Sequence, residues 1–263
     1  MLVDSQNLPS RRFILLGASN LARGLSPVVA AACRAWGYPL DILAAIGHGR
    51  SYGFASRVLG RRLPGILPCG LWRALAAREP APSLALVTDI GNDIFYGVPV
   101  QQIAGWVGAC IDRLQAAQAQ VIVTGLPVCN LDRVSPAHFA IMRRLLFPSC
   151  RLTLAGARDC ARELAELVVR LAQSRGVTLV EPRAAWYGLD PIHIRWGQQA
   201  TAWNTILSAG QDAASVAARE PIVSPRWINL LLLAPEQRWL LGFEQRRAQP
   251  CARLVGGSSL SLY

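Results

Sequence analysis

The chain has 263 residues, 52% of them hydrophobic, and a formal net charge of +11. This length and apolar content favour a folded chain with a sizeable core, in one large domain or two small ones, over disorder. Every basic side chain is arginine, and the absence of lysine excludes a P-loop lysine, a Schiff-base lysine and a Ser-Lys dyad. The arginines are scattered in ones and twos, a pattern that disfavours nucleic-acid binding.

The sequence gives no sign of membrane insertion or secretion. No apolar run approaches the roughly 20 residues of a membrane span, and the N-terminal residues 1–12 contain Asp4, Gln6 and Asn7 where a signal peptide has its apolar core. The seven cysteines are odd in number and contain no Cys-x-x-Cys pair, which indicates reduced thiols. We therefore expect a cytoplasmic protein without a membrane span.

In chain order, apolar runs bounded by turn residues alternate with helical patterns, which is typical of a parallel sheet flanked by helices. The predicted strands are Phe13–Leu16, Leu40–Ala45, Leu84–Val87, Val121–Val123 and Val177–Val180, and the clearest helices are Val100–Ala117 and Ala157–Ser174. Prolines and glycines in residues 59–82 predict an irregular crossover with a short helix at Leu71–Ala77. The segment Leu126–Pro136 follows a strand end, where loops commonly line active sites.

The pattern changes after about residue 210. We therefore divide the chain into a main domain of residues 1–210 and a C-terminal extension of residues 211–263 that packs on it. Two short extended runs, Cys251–Val255 and Ser258–Tyr263, are joined by Gly256-Gly257. A glycine pair between extended runs predicts a β-hairpin, because the tight hairpin turns need positive φ angles.

Ser19 follows the first predicted strand and precedes a helical pattern that begins near Leu21. One interpretation is a helix N-cap. The other is a nucleophile held at a strand-to-helix turn, with its hydroxyl exposed and its own amide facing a developing oxyanion.

Three further segments contain side chains or amides that could take part in catalysis. Asp190 lies three residues before His193, so its carboxylate could orient the imidazole as a general base, or it could simply cap a surface turn. Asn92 could donate a hydrogen bond to an oxyanion, although Gly-Asn-Asp is also ordinary turn chemistry. Gly49 could donate its backbone amide to the same oxygen or serve only the turn.

Together these segments resemble the four conserved blocks of the SGNH/GDSL hydrolase superfamily of serine esterases and lipases. The blocks are, in order, Gly17-Ala18-Ser19-Asn20, Gly47-His48-Gly49, Gly91-Asn92-Asp93 and Asp190-Pro191-Ile192-His193. The resemblance implies a flavodoxin-like three-layer α/β/α sandwich with a five-stranded parallel sheet, and neither a metal nor another cofactor.

The resemblance also implies roles for single residues. Ser19 is the nucleophile, His193 the base and Asp190 its orienting partner, and an oxyanion hole is formed by the Ser19 amide, Gly49 and Asn92. Gly47 is close enough to take the place of Gly49. One departure concerns the first block, where Ala18 stands in the position of the aspartate of the family's Gly-Asp-Ser motif.

We predict a serine esterase that hydrolyses an acetyl or short acyl ester through an acyl-serine intermediate. Arg50 and Arg195, beside two of the blocks, could bind an anionic group on a small-molecule substrate. Two alternatives use the same fold: an O-acyltransferase acting on a sugar or other alcohol, and a non-catalytic binding module. His48 and His138 are left out of the catalytic set. The acyl group, the alcohol and the oligomeric state stay open.

Overall fold

The central strand of the molecule contains four consecutive apolar residues, Phe13–Leu16, as expected of a strand whose two faces are covered by helices. In the computed structural model, which describes residues 11–58, 60–210 and 233–263, Phe13 and Leu15 pack into one hydrophobic layer. Ile14 and Leu16, which alternate with them, pack into the other layer. The sheet is therefore the middle layer of three, and the predicted α/β/α sandwich is confirmed.

The described residues form helices and strands that alternate along most of the chain. The strands are β1 (Arg11–Leu16), β2 (Leu40–Ala45), β3 (Ser56–Val58), β4 (Arg61–Leu63), β5 (Ser83–Val87), β6 (Ala119–Thr124), β7 (Thr178–Val180), β8 (Gln237–Leu240), β9 (Phe243–Arg246), β10 (Ala252–Arg253) and β11 (Ser259–Leu262). The helices are α1 (Ser19–Trp36), α2 (Leu71–Ala76), α3 (Asn92–Phe95), α4 (Val100–Ala116), α5 (Val128–Leu131), α6 (Pro136–Leu146), α7 (Leu154–Arg175) and α8 (Gln199–Ser208).

The main sheet contains all five predicted strands in the flavodoxin-like order β2-β1-β5-β6-β7, paired in parallel. It has seven strands in the described residues, which corrects the predicted number of five. The additional pair is the predicted C-terminal hairpin, β10–β11, whose second strand joins the edge of the sheet in parallel with β2. The glycine pair signalled the hairpin, but no local pattern signalled its partner.

A second, antiparallel sheet has the order β3-β4-β8-β9 and was not predicted. Its first two strands are three residues each and carry arginines instead of an apolar alternation. Such a sequence gives no strand signal. The predicted short helix that follows is confirmed as α2.

The two long predicted helices, α4 and α7, cover one face of the main sheet. Thr153 begins α7 by accepting a hydrogen bond from the Gly156 N–H at 3.1 Å, and Gly176 ends it with a φ of +61°. On the other face α1 approaches α8 closely at Gly24, where a Cβ atom would lie 2.6 Å from the Trp203 indole nitrogen. No helix among the described residues is long and apolar enough to cross a bilayer.

The carboxyl ends of β1, β2 and β5 lie side by side at one edge of the sheet, and each leads into one of the candidate blocks. The fourth block follows β7. The boundary proposed at residue 210 stays a prediction, and residues 211–232 of the extension lie outside the described part of the chain.

Candidate active site

Three predicted side chains from distant segments meet at this edge. Ser19 is the first residue of α1 and is 6% exposed. Its hydroxyl oxygen lies 2.8 Å from Nε2 of His193, and Nδ1 of the same imidazole lies 2.6 Å from Oδ2 of Asp190. The hydroxyl, the imidazole and the carboxylate therefore form one continuous hydrogen-bonded chain.

Asp190 caps its own turn and contacts the imidazole at the same time. Its Oδ1 accepts the backbone N–H groups of Ile192 at 3.1 Å and His193 at 3.2 Å, while Oδ2 faces the ring. Burial acts to raise the pKa of Asp190, but the imidazole and these two N–H groups outweigh burial and lower it. An ionised carboxylate in this position fixes the proton on Nδ1 and leaves Nε2 to accept.

Ser19 is not the N-cap of α1, because a carboxylate from the end of β5 performs that task. Oδ2 of Asp89 accepts the backbone N–H groups of Ala18 at 2.8 Å, Asn20 at 3.0 Å and Leu21 at 3.4 Å. Asp89 adopts a φ of +59°, an uncommon conformation for a residue other than glycine. The serine hydroxyl is thereby left free for the histidine.

Three N–H groups near Ser19 have no hydrogen-bond partner within the described residues. They are the backbone N–H groups of Ser19 and Gly49 and the buried side-chain nitrogen Nδ2 of Asn92. Buried polar atoms are nearly always paired, so an orphan of this kind is typical of a site that receives a ligand. These are the three groups that the sequence predicted as oxyanion donors.

The short helix α3 holds the Gly49 loop in place. The Tyr96 hydroxyl donates to the Gly49 carbonyl at 2.6 Å, and Asp93 accepts the Tyr52 N–H at 2.8 Å. Burial raises the pKa of Tyr96 to about 12, so its hydroxyl stays protonated as this donation requires. Because Asp93 and Tyr96 follow Asn92 within one turn or so, the side chain of Asn92 and the Gly49 peptide are positioned by the same element.

An apolar cavity of about 80 Å³ opens beside Ser19 and Asn92. It crosses the carboxyl edge of the sheet from α8, at Ile206, to α7, at Ala157 and Ala161. The predicted loop Leu126–Pro136 lines it as expected, with Leu126, Pro127, Val128 and Leu131. A hydrocarbon group attached to a carbonyl at Ser19 would therefore find an apolar site within reach.

The structure does not bring Arg50 to this cavity. Arg50 is 0% exposed, and its guanidinium donates to the carbonyls of Pro64 at 3.0 Å and Ile46 at 3.2 Å and to the main-chain oxygen of Tyr263. This corrects the prediction that Arg50 binds substrate, because the guanidinium is occupied beneath the Gly49 loop and joins it to the C-terminal strand.

Arg195 does not line the cavity either. Its side chain is exposed and donates to the Ala185 carbonyl at 2.8 Å. The nearer cation is Arg23, which sequence reasoning missed although it lies one helical turn after Ser19. Its Nη1 atom lies 3.8 Å from Asp190, and its guanidinium lies over the Trp196 ring at 5.3 Å from the centroid.

His48 is exposed at the mouth of the site and lies outside the hydrogen-bonded chain. The part of its ring that the protein covers lowers the pKa of His48, and the positive charges of Arg61, of His193 when it is protonated, and of Arg23 lower it further. Its proximity to His193 places the Gly47-His48-Gly49 segment next to the proposed base.

No protein-family model matches the chain, and no curated protein matches it. Solved structures do. The Mycobacterium smegmatis aryl esterase ("M. Smegmatis Aryl Esterase") has a TM-score of 0.52 at 15% identity, over 76% of this chain and 97% of that one. A carbohydrate acetylesterase family member from Sinorhizobium meliloti has a TM-score of 0.53 at 15% identity, over 75% and 95%. The acetyl xylan esterase AlAXEase has a TM-score of 0.52 at 12% identity, over 75% and 98%.

The chain has the fold of the SGNH hydrolases. Sequence identities this low establish a shared fold and nothing about activity. The four blocks quoted above lie at the carboxyl edge of that fold, in positions fixed by β1, β2, β5 and the segment after β7.

Within this SGNH fold, Asn20 and Asp89 connect the first block to the fourth. The Asn20 amide donates to Asp89 at 2.7 Å and to the Ile192 carbonyl at 2.9 Å, and its oxygen accepts the Ile194 N–H at 2.8 Å. Ile192 and Ile194 flank His193. The network therefore joins the turn that bears Ser19 to the loop that bears the histidine.

Asn20→Ala should break this connection without removing a group of the hydrogen-bonded chain itself. We expect labelling of Ser19 by a fluorophosphonate to slow by about 10²-fold, because misplacing a base by an ångström costs about that much. The matched control is Asn204→Ala, an exposed asparagine on α8 paired with Arg34, which should label at the wild-type rate. An Asn20→Ala protein that melts normally and labels as fast as wild type would show that the network does not position the histidine.

Proposed function

We propose that the protein is a serine esterase that hydrolyses a small acyl ester through a covalent acyl-Ser19 intermediate. The observation that carries the proposal is the chain of contacts from Ser19 through His193 to Asp190, with distances of 2.8 Å and 2.6 Å. The unpartnered donors beside Ser19 support it, as do fold relatives whose names describe an aryl esterase and acetylesterases.

In the proposed acylation step, the Ser19 oxygen attacks the ester carbonyl while Nε2 of His193 takes the hydroxyl proton. The carbonyl oxygen becomes an oxyanion that accepts hydrogen bonds from the amides of Ser19 and Gly49 and from Asn92. The imidazolium then protonates the departing alcohol as the carbon–oxygen bond of the ester breaks. Asp190 stabilises the imidazolium without taking its proton.

Deacylation repeats the same proton transfers with water. His193 removes a proton from water as the water oxygen attacks the acyl carbon, and returns it to the Ser19 oxygen as the acid leaves. The donors of the oxyanion hole need no rearrangement between the two steps, because Tyr96 and Asp93 hold the Gly49 loop throughout.

Ser19→Ala should abolish turnover of p-nitrophenyl acetate and labelling by a fluorophosphonate, since it removes the nucleophile. Ser208→Ala is the matched control, because the hydroxyl of this exposed serine on α8 donates to the Asn204 carbonyl of its own helix. Spectrophotometric release of p-nitrophenol and probe labelling measure the two effects. Equal turnover by Ser19→Ala and wild type would refute the acyl-serine mechanism, and a wild type that neither turns over nor labels would point to a non-catalytic binding module.

Asn92→Ala should lower kcat by about 10²–10³-fold and change KM little, because an oxyanion donor acts mainly in the transition state. Folding should not suffer from loss of a hydrogen bond, since Nδ2 makes none to the described residues. Steady-state kinetics on p-nitrophenyl acetate distinguish this from a binding defect. A rise in KM at unchanged kcat would assign Asn92 to substrate binding and contradict the oxyanion role.

We assign the apolar cavity to the acyl group, because its lining includes Ser19, Asn92 and aliphatic side chains of four helices. Hydrocarbon groups longer than acetyl should therefore gain binding energy there.

Ala161→Leu should fill part of this cavity and shift the acyl preference toward shorter chains. The three added carbon atoms should lower kcat/KM for p-nitrophenyl octanoate about tenfold or more relative to acetate. Ala116→Leu, at an exposed position on α4, is the control. If both variants keep the wild-type octanoate-to-acetate ratio, the acyl chain lies elsewhere.

A further inference from the structure

The large apolar side chains that are exposed are concentrated in a few segments of the fold. Within residues 11–58, 60–210 and 233–263, nine large hydrophobic side chains are exposed: Phe54, Ile141, Leu145, Leu146, Leu189, Trp196, Leu240, Leu241 and Phe243. Each lies either on a segment that follows the carboxyl end of a main-sheet strand or on the antiparallel sheet β3-β4-β8-β9, which we call the small sheet. We call these nine residues the apolar rim.

The small sheet stands next to the Gly47–Gly49 loop. A Cβ atom at Gly49 would lie 2.4 Å from a Val58 methyl group, and one at Gly47 would lie 2.3 Å from a Leu63 methyl group. β4 in turn pairs with β8, with Arg61 opposite Leu240. The β8–β9 hairpin therefore extends the wall of the site outward from the oxyanion loop.

The turn of this hairpin presents its apolar side chains to solvent. Leu241 and Phe243 are 78% and 77% exposed, and Leu240 pairs with Phe243 across the two strands. Leu241 and Gly242 adopt φ angles of +50° and +93°, and the Leu241 N–H bonds to the Gly60 carbonyl at 3.0 Å. The tip is thus a tightly held turn whose apolar side chains have no protein layer over them in the described structure.

The charge is positive on the segments that carry six of the nine rim residues. Residues 56–63 and 236–247, which contain the small sheet, include six arginines and two glutamates, and residues 136–151 include three arginines and no acidic residue. Both glutamates are paired, Glu236 with Arg73 and Glu244 with Arg246. Apolar side chains set among unbalanced arginines are typical of proteins that bind anionic lipid surfaces.

We propose that the apolar rim docks on an anionic lipid surface, with the β8–β9 tip inserted among the headgroups and acyl chains. The arginines supply attraction to the lipid phosphates, and Leu241 and Phe243 supply apolar burial. A second copy of this chain fits less well, because two such faces would bring their arginines together. The mouth of the cavity at Ser19 would then face the lipid.

The test is flotation of purified protein with vesicles of phosphatidylcholine, with and without phosphatidylglycerol. We expect wild type to bind the anionic vesicles, to bind pure phosphatidylcholine at least tenfold more weakly, and to be released by salt. The double variant Leu241→Asn/Phe243→Ser should lose about tenfold or more in partitioning; asparagine is chosen because it tolerates the positive φ at position 241. Arg62→Gln should weaken binding, whereas Arg170→Gln and Ala116→Ser, on α7 and α4, should not.

Failure of wild type to bind anionic vesicles would overturn the proposal, and so would equal binding by the tip variant and wild type. Gel filtration is run in parallel: a wild-type dimer that becomes monomeric in the tip variant would assign the rim to self-association instead. Binding is also measured with Ser19→Ala, so it is tested separately from the esterase activity. The tip variant should hydrolyse p-nitrophenyl acetate at the wild-type rate.

Discussion

The candidate site depends on the carboxylate of Asp89, which lies outside the hydrogen-bonded series Ser19–His193–Asp190. Asp89 accepts the N–H groups of Ala18 and Asn20 and caps α1, so the Ser19 hydroxyl has no capping duty and points to His193. Charge-assisted bonds at a helix N-terminus are among the stronger hydrogen bonds in proteins, which explains how Asp89 is held at a φ of +59°. The family places an acid beside the nucleophile in sequence, whereas here the acid comes from the neighbouring strand.

The proposed oxyanion hole is organised at some expense of stability. Nδ2 of Asn92 is buried without a hydrogen-bond partner among the described residues, and burial raises the pKa of the adjacent Asp93 to about 6, so its charged form is disfavoured inside the protein. Both groups would be better paired in a protein selected for stability alone. The loss of stability caused by Asn92 and Asp93 has an explanation if α3 must present the free side-chain amide of Asn92. The same helix would then hold the Gly49 loop at a fixed distance from that amide through Asp93 and Tyr96.

Sequence reasoning succeeded where the signal was local or where the family resemblance supplied the partner. The five parallel strands follow from apolar runs, whereas the contact of Ser19 with His193, between residues that are remote in sequence, follows from the resemblance of their blocks to the SGNH pattern. The pairing of β11 with β2, the short arginine-bearing strands β3 and β4, and the capping role of Asp89 are contacts between remote segments with no local pattern. Arg50 shows the same limit, since proximity in sequence to Gly49 gave no indication that its guanidinium is buried beneath the loop.

The two proposals both rest on apolar surface. The cavity beside Ser19 is apolar, and the exposed apolar side chains of the described residues lie on the small sheet or on segments that follow strands of the main sheet. A lipid that reaches the cavity through water would first have to leave its lipid aggregate and expose its acyl chain to water. A lipid that moves into the cavity from a docked lipid surface would keep its acyl chain in contact with apolar groups throughout. The small sheet is the element that links the two features, because Val58 and Leu63 pack on the oxyanion loop while the β8–β9 tip reaches outward. A fold that needed only to hydrolyse freely soluble esters would gain nothing from such a tip, whose exposed leucines and phenylalanine favour aggregation unless a partner surface covers them.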